Sequence, residues 1–446
     1  MEKGIVVSTT AGNYGPCMGS MRNGIPWVLT VTAGTTDHWF AGILTLGNGL
    51  TITGWSTYPA EADNSEDYFI NLPLVYNKTI SPCSSIAMLV EASVQGIVVC
   101  DKGDVHIQIT CILFSNLAGA ILVYDKLDPY ELKRMACPCI AVTSKDAAVL
   151  INYVETTNKP FASMKFQQTF TDKRPAPLVA AYASRGPSPT APYVLKPDVM
   201  APGSLVLGAW IPSTSAARRG PLKQPLYTNY TLDFGTSLAC PHLAGVAALL
   251  KAAHPKWRAV AIRSAIMTTA TPLDNTLNPI RDSNSPPSNA SPLAMGSGHI
   301  NPNGALDPGL IYDASPQDYI FANTRSVYYN CSSSPKNSYP DLNHPSFIAL
   351  YDDDDDSKGL MVRKFRRTLT NVAATTAIDR VNITTPEDSM LSVWPEILDF
   401  EKKYDYERKE KGAVSFDDLV WVQQNGTHTI RSPIVISPLV ALASPE

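Results

Sequence analysis

Charged residues are scarce in this chain, and long uninterrupted apolar runs are absent. Only 17% of its 446 residues are Asp, Glu, Lys or Arg, and the formal net charge is −4. Binding to nucleic acid needs a basic patch that neutralises phosphates, so this balance argues against a nucleic-acid partner. No run of about 18 apolar residues occurs, and no membrane span is predicted. The length leaves room for roughly two to four domains with a sizeable core.

A signal peptide is also missing from the sequence. The apolar run after Met1-Glu2-Lys3-Gly4 is too short for one, which taken literally keeps the chain in the cytosol. Other features favour the secretory pathway. The eight cysteines fit an oxidising compartment weakly. Six Asn-x-Ser/Thr sequons are candidate glycosylation sites, at Asn77, Asn229, Asn289, Asn330, Asn382 and Asn425.

A serine at the start of a helix is the most informative positive signal. Residues 235–242, GTSLACPH, run directly into the small apolar residues LAGVAALL, which are typical of a buried helix. We expect Thr236 to cap this helix and Ser237 to lie in its first turn. Free N–H groups and the helix dipole favour negative charge there, so an acyl-transfer oxyanion would be stabilised. The tripeptide Gly-Thr-Ser alone also precedes many ordinary core helices, so its context decides.

A second motif provides that context. Residues 10–16, TAGNYGP, follow the apolar run GIVV at 4–7. Asn13 is therefore predicted to lie in a glycine-rich loop just after a strand. A carboxamide at such a position, together with backbone N–H groups, forms an oxyanion hole.

These residues make the chain resemble the subtilisin-like serine proteases, and within them the plant subtilases. Asn13 aligns with the oxyanion-hole asparagine of that family and Ser237 with its nucleophile. Further stretches look like the family, namely YASRGPS at 182–188, KPDVMAPG at 196–203, GSGHINP at 296–302 and ALDPGLIYD at 305–313. The resemblance covers nearly the whole chain, with several independent motifs in one order. It implies an α/β fold and hydrolysis of peptide bonds.

The partners that activate the serine are not found. A serine hydroxyl needs a histidine to accept its proton and a carboxylate to orient that histidine. In the family both precede the oxyanion asparagine, in Asp-Thr/Ser-Gly and Gly-His-Gly-Thr-His motifs. Neither motif occurs here, and Asn13 is preceded by only 12 residues. We therefore expect the catalytic Asp and His to be absent from the chain.

None of the histidines present is a convincing substitute. His242 comes five residues after Ser237 on the same helix, so the two lie on different faces. The other six are predicted to be structural or lie outside any motif, so that no base is assigned to them: His38, His106, His254, His299, His344 and His428.

Three regions separate along the chain. Residues 1–55 and 175–345 carry the protease motifs and resemble the C-terminal part of a parallel-sheet catalytic domain. Residues 65–170 resemble the protease-associated insert of plant subtilases, which caps the active site and contributes to substrate access or self-association. An ordinary α/β module without a site of its own is an equally open interpretation. Residues 346–446, with a hairpin signal at Asn425-Gly426, resemble the family's fibronectin-type-III-like β-sandwich.

The resemblance also implies a disulfide between Cys83 and Cys100 in the insert. The pair at Cys137-Pro138-Cys139 is too isolated for zinc, which needs four ligands. The acidic run at 352–356 is most simply a solvated loop, since a calcium site needs spaced ligands. No metal and no cofactor are predicted.

The sequence is thus interpreted as a plant subtilisin-like serine endopeptidase, incomplete as given, that acts on peptides or proteins. By resemblance it is extracellular, in the cell wall or apoplast. The alternative is a non-catalytic product, either a pseudoenzyme or an interaction module formed by the insert and the sandwich. The cleavage preference is not predicted, because pocket shape sets it.

Overall fold

A computed structural model describes most of the chain, in two compact units. The first comprises Met1–Thr36, Pro175–Ser204 and Gly235–Glu446, and the second comprises Asp37–Arg174 and Leu205–Phe234. The described residues are 3–58, 68–92, 95–115, 117–125, 132–133, 135, 137–219, 224–284, 288–315, 318–319, 342–351, 363–373, 378–386, 389–399, 408–410, 415–424 and 428–438.

The helices and strands follow one another as short elements. The helices are α1 (Ile86–Glu91), α2 (Val105–Leu113), α3 (Ser144–Thr156), α4 (Thr236–Ala253), α5 (Ala259–Thr268), α6 (Pro292–Met295) and α7 (Pro302–Leu306). The strands are β1 (Ser8–Thr10), β2 (Leu29–Gly34), β3 (Trp39–Leu46), β4 (Thr51–Trp55), β5 (Tyr68–Val75), β6 (Ile97–Cys100), β7 (Gly119–Val123), β8 (Cys139–Val142), β9 (Phe161–Phe170), β10 (Val199–Pro202), β11 (Val206–Ala209), β12 (Ala217–Arg219), β13 (Gln224–Leu226), β14 (Tyr230–Asp233), β15 (Leu310–Tyr312), β16 (Phe347–Tyr351), β17 (Leu369–Asn371), β18 (Ile378–Ile383), β19 (Ser389–Leu391), β20 (Ile397–Asp399), β21 (Arg408–Glu410), β22 (Ser415–Gln423) and β23 (Thr429–Pro438).

A parallel sheet with the order β1-β2-β10 forms the centre of the first unit. All six residues of β2 are buried, as is usual for a strand of a parallel sheet that is covered on both faces. Helix α4 packs on this sheet through Ala239, Leu243 and Leu250, and α5 joins the same core. Every residue of α5 is buried, including the polar Arg263, Ser264 and Thr268. The predicted α/β class with a parallel sheet is confirmed.

The C-terminal part of the first unit contains a five-stranded sheet with the order β16-β23-β22-β18-β20. Strands β22 and β23 pair antiparallel and place Trp421 opposite Ile430. Trp421 is only 1% exposed and packs with Leu419 and Ile434. The predicted turn at Asn425-Gly426 lies outside the described residues, between these two strands.

The second unit is built on a closed barrel with the order β3-β4-β8-β7-β6-β5-β9. Its apolar runs IVVC, GAILV and CIAV form the parallel strands β6, β7 and β8. Helix α2 begins where Asp104 accepts hydrogen bonds from the N–H groups of His106 and Ile107. Residues 205–234 add two antiparallel pairs, β11 with β14 and β12 with β13. Strands β3 and β4, which the sequence analysis grouped with residues 1–55, are part of this barrel.

Candidate active site

Ser237 is the second residue of α4, and it is exposed. The residue before the helix is Gly235, with φ of 136°, a conformation that residues with a side chain rarely adopt. The expectation that Thr236 caps the helix is wrong, because Thr236 is already the first helical residue and the residue at the cap position is Gly235. Four N–H groups at the start of a helix have no partner within it. In α4 the N–H of Ser237 is one of these groups.

Asn13 is fixed against this helix start by its side-chain oxygen. Its Oδ1 accepts hydrogen bonds from the backbone N of Thr236 at 2.9 Å and from Thr236 Oγ1 at 2.8 Å. The N–H of Gly12 donates to the same Thr236 hydroxyl at 3.3 Å. Because Oδ1 is used in this way, the Nδ2 group of Asn13 is held as a donor. Thr236 therefore positions the amide, a role that the sequence did not reveal.

Two donors converge beside Gly235. A Cβ atom placed on Gly235 would lie 3.1 Å from Asn13 Nδ2 and 3.7 Å from the backbone N of Ser237. Both nitrogens therefore lie within 4 Å of one point, which a side chain at residue 235 would occupy. A pair of fixed N–H donors around one point is the geometry that stabilises an oxyanion.

Hydrogen bonds of the Tyr182 hydroxyl fix the residue before α4. Its hydroxyl donates to the carbonyl of Gly203 at 2.7 Å, and the N–H of Gly235 lies 3.2 Å from the same hydroxyl and 2.8 Å from that carbonyl. A Cβ on Gly203 would approach the side chains of Ala33 and Ala239 to 2.6 and 3.2 Å. Gly203 thus lets β10 and α4 come close together. Tyr182 and Gly203 both lie in stretches that resemble the family, but the sequence alone indicated no physical role for them.

The loop that carries Asn13 is tied to neighbouring segments on each side. The N–H of Ala11 donates to Val31 in β2, and the N–H of Tyr14 donates to Ser184 Oγ at 3.1 Å. The Arg22 guanidinium lies 4.4 Å from the centre of the Tyr14 ring. These contacts orient the loop although Asn13 itself is exposed.

No histidine in the described part of the chain is placed as a base for Ser237. His242 Nδ1 lies 2.8 Å from the carbonyl of Leu238 in its own helix. His299 is partly buried, and burial lowers its pKa to about 4, so it is neutral near pH 7. The hydroxyl of Ser237 has no hydrogen-bond partner among the described residues. These residues therefore leave the serine without a proton acceptor.

A buried charged cluster lies deeper in the same unit, around Asp198. We call Asp198, Lys196, Arg263 and His344 the Asp198 cluster. Asp198 Oδ2 lies 2.5 Å from Lys196 Nζ and accepts the N–H of Thr30 at 2.6 Å, and Oδ1 lies 3.1 Å from His344 Nε2. Arg263 Nη2 lies 3.9 Å from Asp198 Oδ1. The four side chains are at most 3% exposed.

The pKa values of Asp198, Lys196 and His344 are shifted within the cluster. Burial alone would raise the pKa of Asp198, but Lys196 and Arg263 outweigh it and hold this pKa well below its usual value. Burial lowers the pKa of Lys196 to about 8. Burial, with the charge of Arg263, lowers the pKa of His344 to about 3. His344 is therefore neutral and completes the hydrogen bonding of Asp198, a contact that no local sequence motif signals.

The second unit has two disulfides. Cys83 and Cys100 are joined, with a Cα–Cα distance of 5.7 Å. Cys137 and Cys139 form a second disulfide across Pro138, which the sequence analysis did not foresee. The described free thiols are the exposed Cys17, the buried Cys111 and the partly buried Cys240. Burial raises the pKa of the Cys111 thiol, which keeps it protonated and unreactive.

Four of the candidate sequon asparagines are exposed, at Asn77, Asn229, Asn289 and Asn382. The other two, Asn330 and Asn425, lie outside the described residues. Within the described ranges, no group of three or more His, Cys, Asp or Glu side chains is arranged to hold a metal ion.

Helix α4 has the length and composition of a membrane span, with a mean hydropathy of 1.2 over 18 residues. One third of it is buried against the rest of the structure, and Leu249 is 67% exposed. Core helices of globular proteins pass the same test, and α4 packs on β1, β2 and β10.

Two family models match this chain, one over its N-terminal part and one over its C-terminal part. The subtilase family model matches residues 1–298, and a fibronectin type-III domain model matches residues 341–436. Subtilisin-like protease SBT3 from Solanum lycopersicum is 44% identical, over 99% of this chain and 60% of its own length. Subtilisin-like protease SBT1.7 from Arabidopsis thaliana is 35% identical, over 98% of this chain and 60% of its own length. The chain thus spans about 60% of the length of these relatives.

Proposed function

This chain belongs to the subtilase family, and on that premise we propose that it carries the nucleophile and the oxyanion hole of a serine endopeptidase. Its substrates would be peptides or proteins. The observation that supports this most is the convergence of Asn13 Nδ2 and the Ser237 N–H beside Gly235. The residue types and their geometry match the demands of acyl transfer.

In this proposal Ser237 Oγ attacks the carbonyl carbon of the scissile peptide bond. The carbonyl oxygen gains negative charge and is held by Asn13 Nδ2 and the Ser237 N–H, at the positive end of α4. The serine proton passes to a histidine, which returns it to the leaving amine while an aspartate orients the ring. The histidine and the aspartate would come from polypeptide outside residues 1–446.

Labelling with a fluorophosphonate probe tests the proposal, because the probe reports an activated serine. We would compare the chain alone with a fused protein, in which the portion of tomato SBT3 that precedes the counterpart of Met1 is joined to this chain. The fused protein should label at Ser237, and its Ser237→Ala variant should not. The chain alone should label at least about 10³-fold more slowly, since a subtilisin without its histidine loses about 10⁶-fold in turnover.

Two outcomes would contradict parts of this proposal. If the chain alone labels as fast as the fused protein, a base is present within residues 1–446. If the fused protein melts cooperatively but does not label at Ser237, the alternative of a pseudoenzyme or interaction module is favoured.

We also propose that the protein is secreted to the cell wall or apoplast and glycosylated, with a protease-associated insert at about 65–170. The exposed positions of Asn77, Asn229, Asn289 and Asn382 and the two disulfides support this. Expression of the fused protein in plant cells should give a product in the medium whose mass falls on removal of N-glycans. Self-association through the insert is a further prediction from the resemblance, to be measured by sedimentation.

A further inference from the structure

The guanidinium of Arg263 carries two buried donor atoms for which the described residues offer no acceptor. Arg263 lies in α5 and is only 2% exposed. Its Nη1 donates to the carbonyl of Pro26 at 2.6 Å and to the hydroxyl of Tyr319 at 3.2 Å. Its Nε and Nη2 are buried as well, but neither has a hydrogen-bond partner among the described residues. Buried polar groups are normally paired, so two such donors on one side chain point to a ligand.

The two donors belong to one edge of the guanidinium. Nε–H and one Nη2–H of an arginine point in parallel from the same edge, and this fork binds one anion through two hydrogen bonds. The carboxylate of Asp198 approaches Nη2 to only 3.9 Å, which is too far for a hydrogen bond. That carboxylate already contacts Lys196, the N–H of Thr30 and His344. The Nε/Nη2 edge of Arg263 can therefore hold a separate anion.

The charges of the Asp198 cluster do not cancel. Asp198 is ionised, because Lys196 and Arg263 hold its pKa well below the usual value. Lys196 is mostly protonated at pH 7, since its pKa is about 8, and an arginine is always charged. His344 is neutral at this pH, with a pKa of about 3. One carboxylate thus faces two buried cations, and a bound monovalent anion would bring the cluster to zero net charge.

Arg185, another buried arginine of the same unit, is paired in the usual way. It is as little exposed as Arg263. Its Nη2 lies 3.0 Å from both carboxylate oxygens of Asp282, and its Nη1 donates to the carbonyl of Ala183 at 2.5 Å. The chain therefore supplies a carboxylate of its own to Arg185, whereas Arg263 shares Asp198 with Lys196.

We propose that the Nε and Nη2 donors of Arg263 bind a chloride ion within the Asp198 cluster. A divalent anion would reverse the net charge of the cluster instead of cancelling it. A carboxylate has two oxygens with about four acceptor positions to satisfy, whereas a monatomic anion can lie between the two donors of the fork. The bound ion would stabilise the folded protein, and the proposal does not depend on catalysis at Ser237.

Urea unfolding of the fused protein at pH 7 tests the proposal, with sodium chloride replaced stepwise by sodium gluconate at constant ionic strength. Charge screening then stays equal, so that a change reports chloride itself. A ligand that binds only the folded state lowers the unfolding equilibrium constant by the factor 1 + [L]/Kd. We expect this constant to be at least about tenfold lower in about 150 mM chloride than in gluconate, which corresponds to a Kd of about 15 mM or less.

Two matched substitutions locate the ion. Arg263→Lys keeps the positive charge but removes the fork, and Arg185→Lys makes the same change at the arginine that has Asp282 as its partner. Chloride should change the unfolding constant of Arg263→Lys by less than about twofold and that of Arg185→Lys by at least about tenfold. General effects of the salt on unfolding are common to both variants, so the difference reports the ion at Arg263.

Bromide locates the ion directly and does not require either variant to fold. Crystals of the unsubstituted fused protein grown in sodium bromide should show an anomalous difference peak in contact with Arg263 Nε and Nη2. Three results would overturn the proposal: an unfolding constant that does not depend on chloride, an equal chloride dependence of the two Lys variants, and bromide peaks on the protein surface alone, which would indicate an adventitious ion only.

Discussion

The surroundings of Ser237 and of Asp198 differ in almost every physical respect, although both lie in the first unit. Ser237 and Asn13 are exposed and are arranged by backbone N–H groups and by glycine. Asp198 is fully buried and is surrounded by three ionisable side chains. Three members of the buried cluster have strongly shifted pKa values.

The difference shows that perturbed pKa values identify the wrong region here. Strong shifts are common at catalytic sites, but structural ion-pair networks produce them as well. The Asp198 cluster joins β2, the segment just before β10, α5 and residue 344 through one carboxylate. The proposed site at Ser237 is instead supported by the positions of two neutral donors. We therefore expect substitutions at Ser237 and Asn13 to change activity, and substitutions in the Asp198 cluster to change stability.

The largest expected effect is on activity and comes from Ser237→Ala in the fused protein. Peptidase turnover should fall by about 10⁶-fold, the loss known for the nucleophile of a subtilisin. The melting temperature should stay nearly constant, because Ser237 is exposed and its hydroxyl has no partner among the described residues. Peptidase assays and calorimetry measure both. A variant that keeps more than a hundredth of the activity would disprove the assignment of the nucleophile.

The next effect is on stability and comes from Asp198→Asn. The substitution keeps the shape of the side chain but leaves Lys196 and Arg263 without a counter-charge in a buried place, which should cost about 3–5 kcal/mol. Asp172→Asn removes the exposed pair with Arg174 and should cost less than about 1 kcal/mol. Denaturant unfolding of the fused protein gives both values. Equal costs would mean that the cluster is not the stabilising element described above.

Asn13→Asp tests the contribution of the Asn13 Nδ2 donor to activity. The variant keeps an oxygen that accepts from Thr236 but loses the Nδ2 donor. Turnover should fall by about 10²–10³-fold, the loss seen when a subtilisin loses one oxyanion-hole donor. If turnover stays within a factor of about three, Asn13 does not hold the oxyanion.

The sequence predicted one of these two regions and missed the other. Ser237 and Asn13 could be proposed from the sequence because each stands in a short motif whose local structure, a helix start or a glycine-rich loop, is encoded by neighbouring residues. The Asp198 cluster escaped because its members meet only in the folded chain. Thr30 is separated from Asp198 by 168 positions and His344 by 146.

The start of α4, at residues 235–236, is a local example of a structure that the sequence predicted incorrectly. Thr236 was expected to cap α4, since its type is favoured at that position. The hydroxyl of Thr236 instead donates a hydrogen bond to the side chain of Asn13. The parallel sheet was predictable from alternating helices and strands, but its strand order, like the closure of the barrel, depends on distant pairings that periodicity does not contain.

The smallest effect is a pH dependence of stability that comes from His344. Its pKa is about 3 in the folded protein and about 6.5 in an unfolded chain. Between these values the unfolded state binds a proton that the folded state does not, so stability falls as the pH falls from about 6.5 toward 3, by at most about 1.4 kcal/mol per pH unit. His299, whose pKa is lowered to about 4, adds to the same slope. Asp198 would also lose stability on acidification, but only near and below its unfolded pKa of about 3.9. Measurements between about pH 4.5 and 6.5 therefore avoid the titration of Asp198. Asp379 and Asp418, whose pKa values burial raises, are common to the parent and the variant, so the difference between the two slopes reports His344. His344→Gln should reduce the slope of unfolding free energy against pH there without changing turnover at pH 7 by more than about twofold. An unchanged slope would mean that His344 is charged in the folded protein and that its contact with Asp198 is an ion pair.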